Sequence, residues 1–466
     1  MDDFQLKKND LKDRLFNALK AGTADYADIR VETHDSTSIV YRGREPEYVG
    51  AGFFRGGIAR ACVKDGWGTV TFDSLDDLEA NVKKACAYAA LVGVGKTRLV
   101  PAPAGNNEIM AELDRDFRGE PLDDKLKLVS DYNDIVLSVA GVVSSSLAYN
   151  DSFRTVHFAS THGAYFMEER PLVRFHCSAV AGKNGLVQRA HDSVASAKTY
   201  DVTQNLEERV RETAVRAVGL LDAKPCKGGK HIVVLNQELG GVFAHEAFGH
   251  LSEADFLYEN PKMKELMRRG REIGADNLNI VDDGSIPGLI GTQRFDDEGT
   301  PSGKTCLIEN GVLTGHLHSI ETAAKMDALP TGNARAIGGG LAPIVRMTNT
   351  YIANGKQSLN DLLSGVENGI YACGMLGGQT MMEMFTFSAA YGYLIRNGSI
   401  TDELVRDVVL TGNVFETLHN IEGLADDFRI LEKAGGCGKG GQSPLPVTFG
   451  APHLRIRDVT VGGAQR

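Results

Sequence analysis

A break in texture at Asp222-Ala223-Lys224-Pro225-Cys226-Lys227-Gly228-Gly229-Lys230 divides the chain into two unlike parts. One proline, two glycines and three lysines in nine residues suit a linker far better than a helix or a central strand. Before the break, Leu11, Leu15, Phe16 and Leu19 form one stripe of a helix over residues 8–22. Strand-like runs follow at 27–31, 38–41, 49–54, 58–63 and 68–72, separated by Gly56-Gly57 and Lys64-Asp65-Gly66. Ser74 and Asp77 open a helix reaching residue 90, and residues 123–140 and 202–221 read as two more helices. Between these two, residues 142–200 alternate as in Thr155-Val156-His157-Phe158-Ala159, with a hairpin turn at Asn184-Gly185. After the break, residues 231–235 form a buried strand leading into a helix. The remainder is strands and turns, with Asn310-Gly311, Asn354-Gly355, Asn368-Gly369 and Asn397-Gly398 suited to primed turns. The expected fold class is α+β. Residues 1–222 form an α/β-type domain with a mixed sheet, and residues 223–466 form a β-rich domain of twisted, mostly antiparallel sheet carrying the helix.

Composition narrows the function. The 466 residues carry 61 acidic and 50 basic side chains, a net −11, which argues against a general nucleic-acid binder. No apolar run approaches the ~18 residues that a membrane helix needs, and Met1–Lys8 shows no basic segment followed by an apolar core. Seven scattered cysteines, odd in number and without a CxxC pair, suit a reduced, cytoplasmic protein.

The chemistry is concentrated in Val242-Phe243-Ala244-His245-Glu246-Ala247-Phe248-Gly249-His250. In the zinc peptidase pattern HExxH the two histidines are four apart, about 40° around a regular helix. Here they are five apart, about 140° out of phase, so an undistorted helix cannot aim both at one ion. A π-type turn that absorbs one residue, or a helix end between them, would restore convergence, most cheaply at Gly249. Zn2+ on two imidazoles and a third group would leave a position for water and lower its pKa to roughly 7. Glu246 would then take the proton of that water and pass it to the leaving amine. The plainer alternative is a pair of histidines that pack or cap a helix. Glu253 and Asp255 are local candidates for the third group or its partner. Cys437, in Gly435-Gly436-Cys437-Gly438-Lys439-Gly440-Gly441, is the distant candidate, because a thiolate is a natural zinc ligand. The same glycines fail as a phosphate cradle, since Gly440 stands where Ser or Thr should follow the lysine.

Taken together, these residues resemble the TldD/PmbA family of metallopeptidases, its catalytic TldD branch in particular. The resemblance rests on His245-Glu246-Ala247-Phe248-Gly249-His250 with Glu253-Ala254-Asp255, and on Phe295-Asp296-Asp297-Glu298-Gly299-Thr300-Pro301. It extends to Arg346-Met347-Thr348-Asn349-Thr350-Tyr351-Ile352, Gly392-Tyr393-Leu394-Ile395, Gly436-Cys437-Gly438-Lys439, and Leu454-Arg455-Ile456 with Val459-Thr460-Val461-Gly462-Gly463. The match in the N-terminal half is looser, around residues 52–63 and Gly66-Trp67-Gly68. The resemblance implies a cytoplasmic zinc peptidase acting on unfolded or modified peptides, with one zinc per chain. His245, His250 and Cys437 would be the ligands and Glu246 the base. It also implies a dimer, either homodimer or heterodimer with an inactive homologue.

Further residues are candidates for substrate contact: Glu253, His316, His318, Arg335 and Arg346. His316 and His318 alternate as on one strand face, and either arginine could fork onto a peptide carboxylate. A non-catalytic peptide-binding partner with structural zinc is the second reading of the whole chain. A nucleic-acid regulator, suggested by an association of the family with DNA gyrase, is disfavoured by the acidic balance and the lack of a basic helix.

Overall fold

The computed structural model describes residues 8–462; Met1–Lys7, where the absence of a leader was read, and Gly463 of the last motif lie outside them. The N-terminal half is one seven-stranded sheet with helices packed on it. Its strands are β1 (Tyr26–Arg42), β2 (Glu45–Val63), β3 (Gly66–Phe72), β4 (Gly105–Ile109), β5 (Val142–Ser160), β6 (Ala164–Lys183) and β7 (Leu186–Ser196). They run in the order β3-β2-β1-β5-β6-β4, with β7 also on β6. Only β4 is parallel to its neighbour, so the sheet is mixed.

Helices α1 (Lys8–Lys20) and α2 (Leu78–Val92) bury Leu11, Leu15, Leu19, Val82 and Ala85 against Ile29, Val31 and Ala59. Helices α3 (Leu122–Ser138) and α4 (Glu207–Asp222) do the same with Val129, Val136, Val210 and Ala214 against Tyr149, Phe175 and Cys177. Asp77 flanks α2 without a side-chain cap, and Ser74 bonds Asp76 instead, so the expected capping does not form.

Two of the strand breaks read in the sequence are absent. β1 and β2 are continuous through Asp35-Ser36-Thr37 and Gly56-Gly57. Gly57 is there for proximity rather than for turning: a Cβ on it would lie 2.2 Å from the carbonyl oxygen of Arg30. True primed turns occur at Asn184-Gly185, Asn310-Gly311 and Asn397-Gly398, where both residues have positive φ. Asn354-Gly355 and Asn368-Gly369 are not such turns. Gly355 donates its N–H to Ala425, and residue 368 opens a strand.

In the C-terminal half an eight-stranded sheet carries the core, with six of its eight pairings antiparallel. The strand Gly229–Leu235 lies between Asn368–Met381 and Leu454–Gly462. The linker-like segment is itself stitched to this sheet, since Lys224–Pro225 pairs with Val405 and Arg406. Helix α5 (Gln237–Phe243) packs between this sheet and a six-stranded one, on Asn368–Met381 of the first and Thr448–Ala451 of the second.

The halves meet through buried charge. Arg60 forks onto Asp28 at 3.0 and 2.5 Å and reaches Glu298 at 3.0 Å. Arg170 bonds Asp297 at 2.8 Å, and Arg30 donates to the carbonyls of Gly338 and Leu341. No helix of the described residues is long and apolar enough to cross a membrane, and all seven cysteines are free.

Candidate metal centre

Asn236 caps α5 by accepting from the N–H of Leu239, and the helix then widens into a π-turn over residues 244–249. A tighter 3-10 turn, residues 250–252, follows. The extra residue in the π-turn removes the phase error of a five-residue spacing. The rings of His245 and His250 approach to 5.1 Å between centroids, at 83°.

Gly249 serves a different end from the one expected. Its φ and ψ, −54° and −48°, are ordinary helical values. A Cβ there would lie 2.0 Å from the sulfur of buried Met347, so the glycine makes room for the helix to pack closely. Gly249→Ala is therefore expected to lower stability by about 1–3 kcal/mol through overpacking. A thermal melt within about 0.5 kcal/mol of wild type would show that Met347 swings aside at no cost.

Cys437 completes the cluster from a two-stranded ribbon near the C-terminus. One donor atom each from His245, His250 and Cys437 lies within 4.8 Å of the others, and Sγ of Cys437 is 3.5 Å from Nε2 of His250. Burial pushes the Cys437 thiol up, but the charge of His245 and hydrogen bonds from both imidazoles outweigh it and bring the thiol down to about 5. Burial pulls both imidazoles down, while the thiolate and, for His250, Glu253 raise them above the usual value.

Glu253 is not at a substrate-facing position. It is fully buried and accepts from Nδ1 of His250 at 3.0 Å, fixing that ring and leaving Nε2 towards the sulfur. Burial pushes its carboxyl up, and Lys439 and His250 overcome this to hold it below the usual carboxylate range. Lys439, two residues beyond Cys437, lies 3.0 Å from Glu253 and 2.6 Å from Asp255. The cysteine loop and the histidine turn are thus locked by one ammonium group.

Arg346 and Arg335 are also buried, and both hold backbone. Arg346 donates to the carbonyls of Cys437 (2.7 Å) and Gln442, and Arg335 to those of Met347 and Pro446. Neither presents a free fork to a substrate carboxylate. His316 and His318 flank Leu317, which forms an isolated bridge to Glu253, and their rings lie 6.1 Å apart; both are buried and absent from the walls of the metal pocket.

That pocket, about 210 Å3, lies between the two halves of the chain. Glu246 is half-buried in its wall, its Oε2 3.9 Å from Nε2 of His250. Val242, Met375, Val447 and Phe449 give an apolar lining. Sequence reasoning missed His176 and His191, which enter from β6 and β7 with rings 6.0 Å apart. Burial and then the neighbouring His191 lower His176 to about 4, so it is neutral near pH 7. Their alternation on facing strands was visible in the sequence, but nothing there linked those strands to residue 245.

From the pocket wall at Met375 a strand with one unpaired edge leads away. Residues 369–372 of the strand Asn368–Met381 pair on both sides, whereas, among the described residues, 375–381 pair only with Met384–Arg396. Thr380 on this stretch donates to the carbonyl of Glu246.

Comparison with known proteins finds matches over most of the chain. Sequence models of the PmbA/TldA metallopeptidase match domain 1 at residues 27–89, the central domain at 115–221 and the C-terminal domain at 228–463. A metalloprotease of Synechocystis sp. is 42% identical over 94% of this chain and 95% of its own length. A zinc metalloprotease TldD homolog of Saccharolobus solfataricus is 28% identical over 94% and 97%. Among solved structures, a putative modulator of a DNA gyrase from Thermotoga maritima shares the fold, with a TM-score of 0.79 and 20% identity over 97% of this chain and all of that one. TldE from Thermococcus kodakarensis shares it likewise, with a TM-score of 0.74 and 18% identity over 97% of this chain and all of that one. The chain belongs to the PmbA/TldD metallopeptidase family.

Proposed function

We propose that this chain is a zinc-dependent peptidase that hydrolyses unfolded or modified peptides, with Glu246 as the general base. The observation that carries the proposal is the convergence of His245, His250 and Cys437 on one point. The residues fit zinc. The donor set is one thiol and two imidazoles, the thiol is held in its metal-binding form, and the separations are of the size that an ion bonded at about 2.0–2.3 Å draws together. When bound, zinc supplies Lewis acidity that polarises a peptide carbonyl and makes water more acidic.

The chain's own residues do the rest. Glu246, in the pocket wall beside the triad, accepts the proton of the attacking water and returns it to the leaving nitrogen. Glu253 and Lys439 keep His250 in one orientation. The free edge at residues 375–381 supports a substrate laid down as an added strand, read through its backbone more than its side chains. Such binding requires an extended peptide, which favours unfolded substrates over folded ones. The proposed assembly is a dimer, homo- or heteromeric, acting in the cytoplasm.

Metal analysis tests the site. Wild type is expected to hold one zinc per chain and Cys437→Ser to lose it. Glu253→Gln should retain zinc with about 10–100-fold weaker affinity. Chelation should abolish hydrolysis of an unfolded peptide and added zinc restore it. Wild-type zinc content in Cys437→Ser would remove Cys437 from the ligand set, and hydrolysis insensitive to chelation would end the proposal.

A further inference from the structure

His316 and His318, which the metal centre does not use, line a groove of about 740 Å3 in the C-terminal half. Its walls carry Lys264, Arg268, Arg269 and Lys304 against a single acid, Asp327. Arg268 is paired with Glu265 at 3.3 Å. Lys264, Arg269 and Lys304 have no carboxylate within ion-pair distance among the described residues. Arg269 gives its Nε to the carbonyl of Thr314, at 2.7 Å, which braces the guanidinium at the groove. Acids outnumber bases in this chain by eleven, so unpaired cations gathered at one cavity are not forced by composition. Left empty, such a groove costs charge repulsion; filled by an anion, the same charges attract.

Hydrogen bonds to neighbouring residues fix both histidines in the groove wall. Nε2 of His316 is 2.8 Å from the carbonyl oxygen of Met267, and Nδ1 of His318 is 3.3 Å from Oγ1 of Thr322. The volume lies within the range of about 300–1,000 Å3 typical of small-molecule sites. Leu317, between the histidines, donates to Ser252 (2.8 Å) and accepts from Ala254 (3.0 Å). The groove is therefore one strand pairing away from Glu253, yet shares no lining residue with the metal pocket.

We propose that this groove is a binding site for a small organic polyanion bearing phosphate or carboxylate groups, held by Lys264, Arg269 and Lys304. It is separate from the peptidase reading and stands or falls without it. Cys306 in its wall is a built-in reporter, since it is the exposed cysteine and the other six are buried.

Calorimetric titration of the full chain as purified, at low salt, tests the site, with fructose 1,6-bisphosphate as the phosphate probe and tricarballylate as the carboxylate probe. At least one should bind with Kd below about 1 mM and slow the alkylation of Cys306 by iodoacetamide, read by peptide mass spectrometry. Lys304→Gln and Arg269→Gln should each weaken binding about tenfold. Lys127→Gln, on the remote surface of α3, should leave it unchanged. Preference for one probe identifies the anionic group. No binding of either probe, binding indifferent to Lys304 and Arg269, or an equal loss in Lys127→Gln overturns the proposal.

Discussion

Glu246→Gln is expected to cut peptide turnover by about 10²–10⁴-fold while zinc stays bound at wild-type stoichiometry. The substitution keeps the size and hydrogen-bonding reach of the side chain but cannot accept a proton. In the proposed site Glu246 is not a ligand, since the converging donors come from His245, His250 and Cys437. The predicted split is therefore sharp: the rate falls, the metal remains, and peptide affinity, set by the strand edge, changes little. Turnover assays with an unfolded peptide, run beside metal analysis and a binding measurement, read all three. Turnover near wild type would remove Glu246 as the base, and loss of zinc would place its carboxylate among the ligands instead.

The second large effect lies far from the chemistry. Arg60→Met should destabilise the protein by about 3–5 kcal/mol, because it strands two buried carboxylates, Asp28 and Glu298, that share one guanidinium. The triple variant Arg60→Met, Asp28→Asn, Glu298→Gln should melt closer to wild type than the single one, since the cost comes from the uncompensated charges. Calorimetric melting of the three proteins decides this. An Arg60→Met melting temperature equal to that of wild type would mean that water reaches the carboxylates. Arg170 also donates to the carbonyl of Phe295, so the stretch 295–301 joins the two halves of the chain through charge and backbone together.

That joining role was not legible in the sequence. Asp296-Asp297-Glu298 carries no local signal of a buried partner, and only tertiary structure brings Arg30, Arg60 and Arg170 to it from strands far earlier in the chain. The helix irregularity, by contrast, was legible, because a spacing of five can be compared directly with 3.6 residues per turn. The third member of the cluster was narrowed by residue type to Glu253, Asp255 or Cys437 and to Cys437 only by the resemblance, since 187 residues separate His250 from Cys437 and no periodicity spans that gap. Polar and glycine-rich interruptions misled in β1 and β2. There Gly56 and Gly57 meet Glu32 and Val31 across a continuous ladder, and the sheet overrides the local turn signal. Arg335 and Arg346 misled for a related reason: an arginine in a polar motif invites a ligand, whereas here both hold main-chain carbonyls.

The order in which the three donors leave the ribosome follows from Cys437 lying on a late ribbon. A nascent chain that has exposed both histidines still lacks the sulfur, and also lacks Leu454–Gly462, which lies beside Gly229–Leu235 inside the sheet. The cluster therefore cannot form by local folding of the histidine turn alone, because its third member arrives from 187 residues further along the chain.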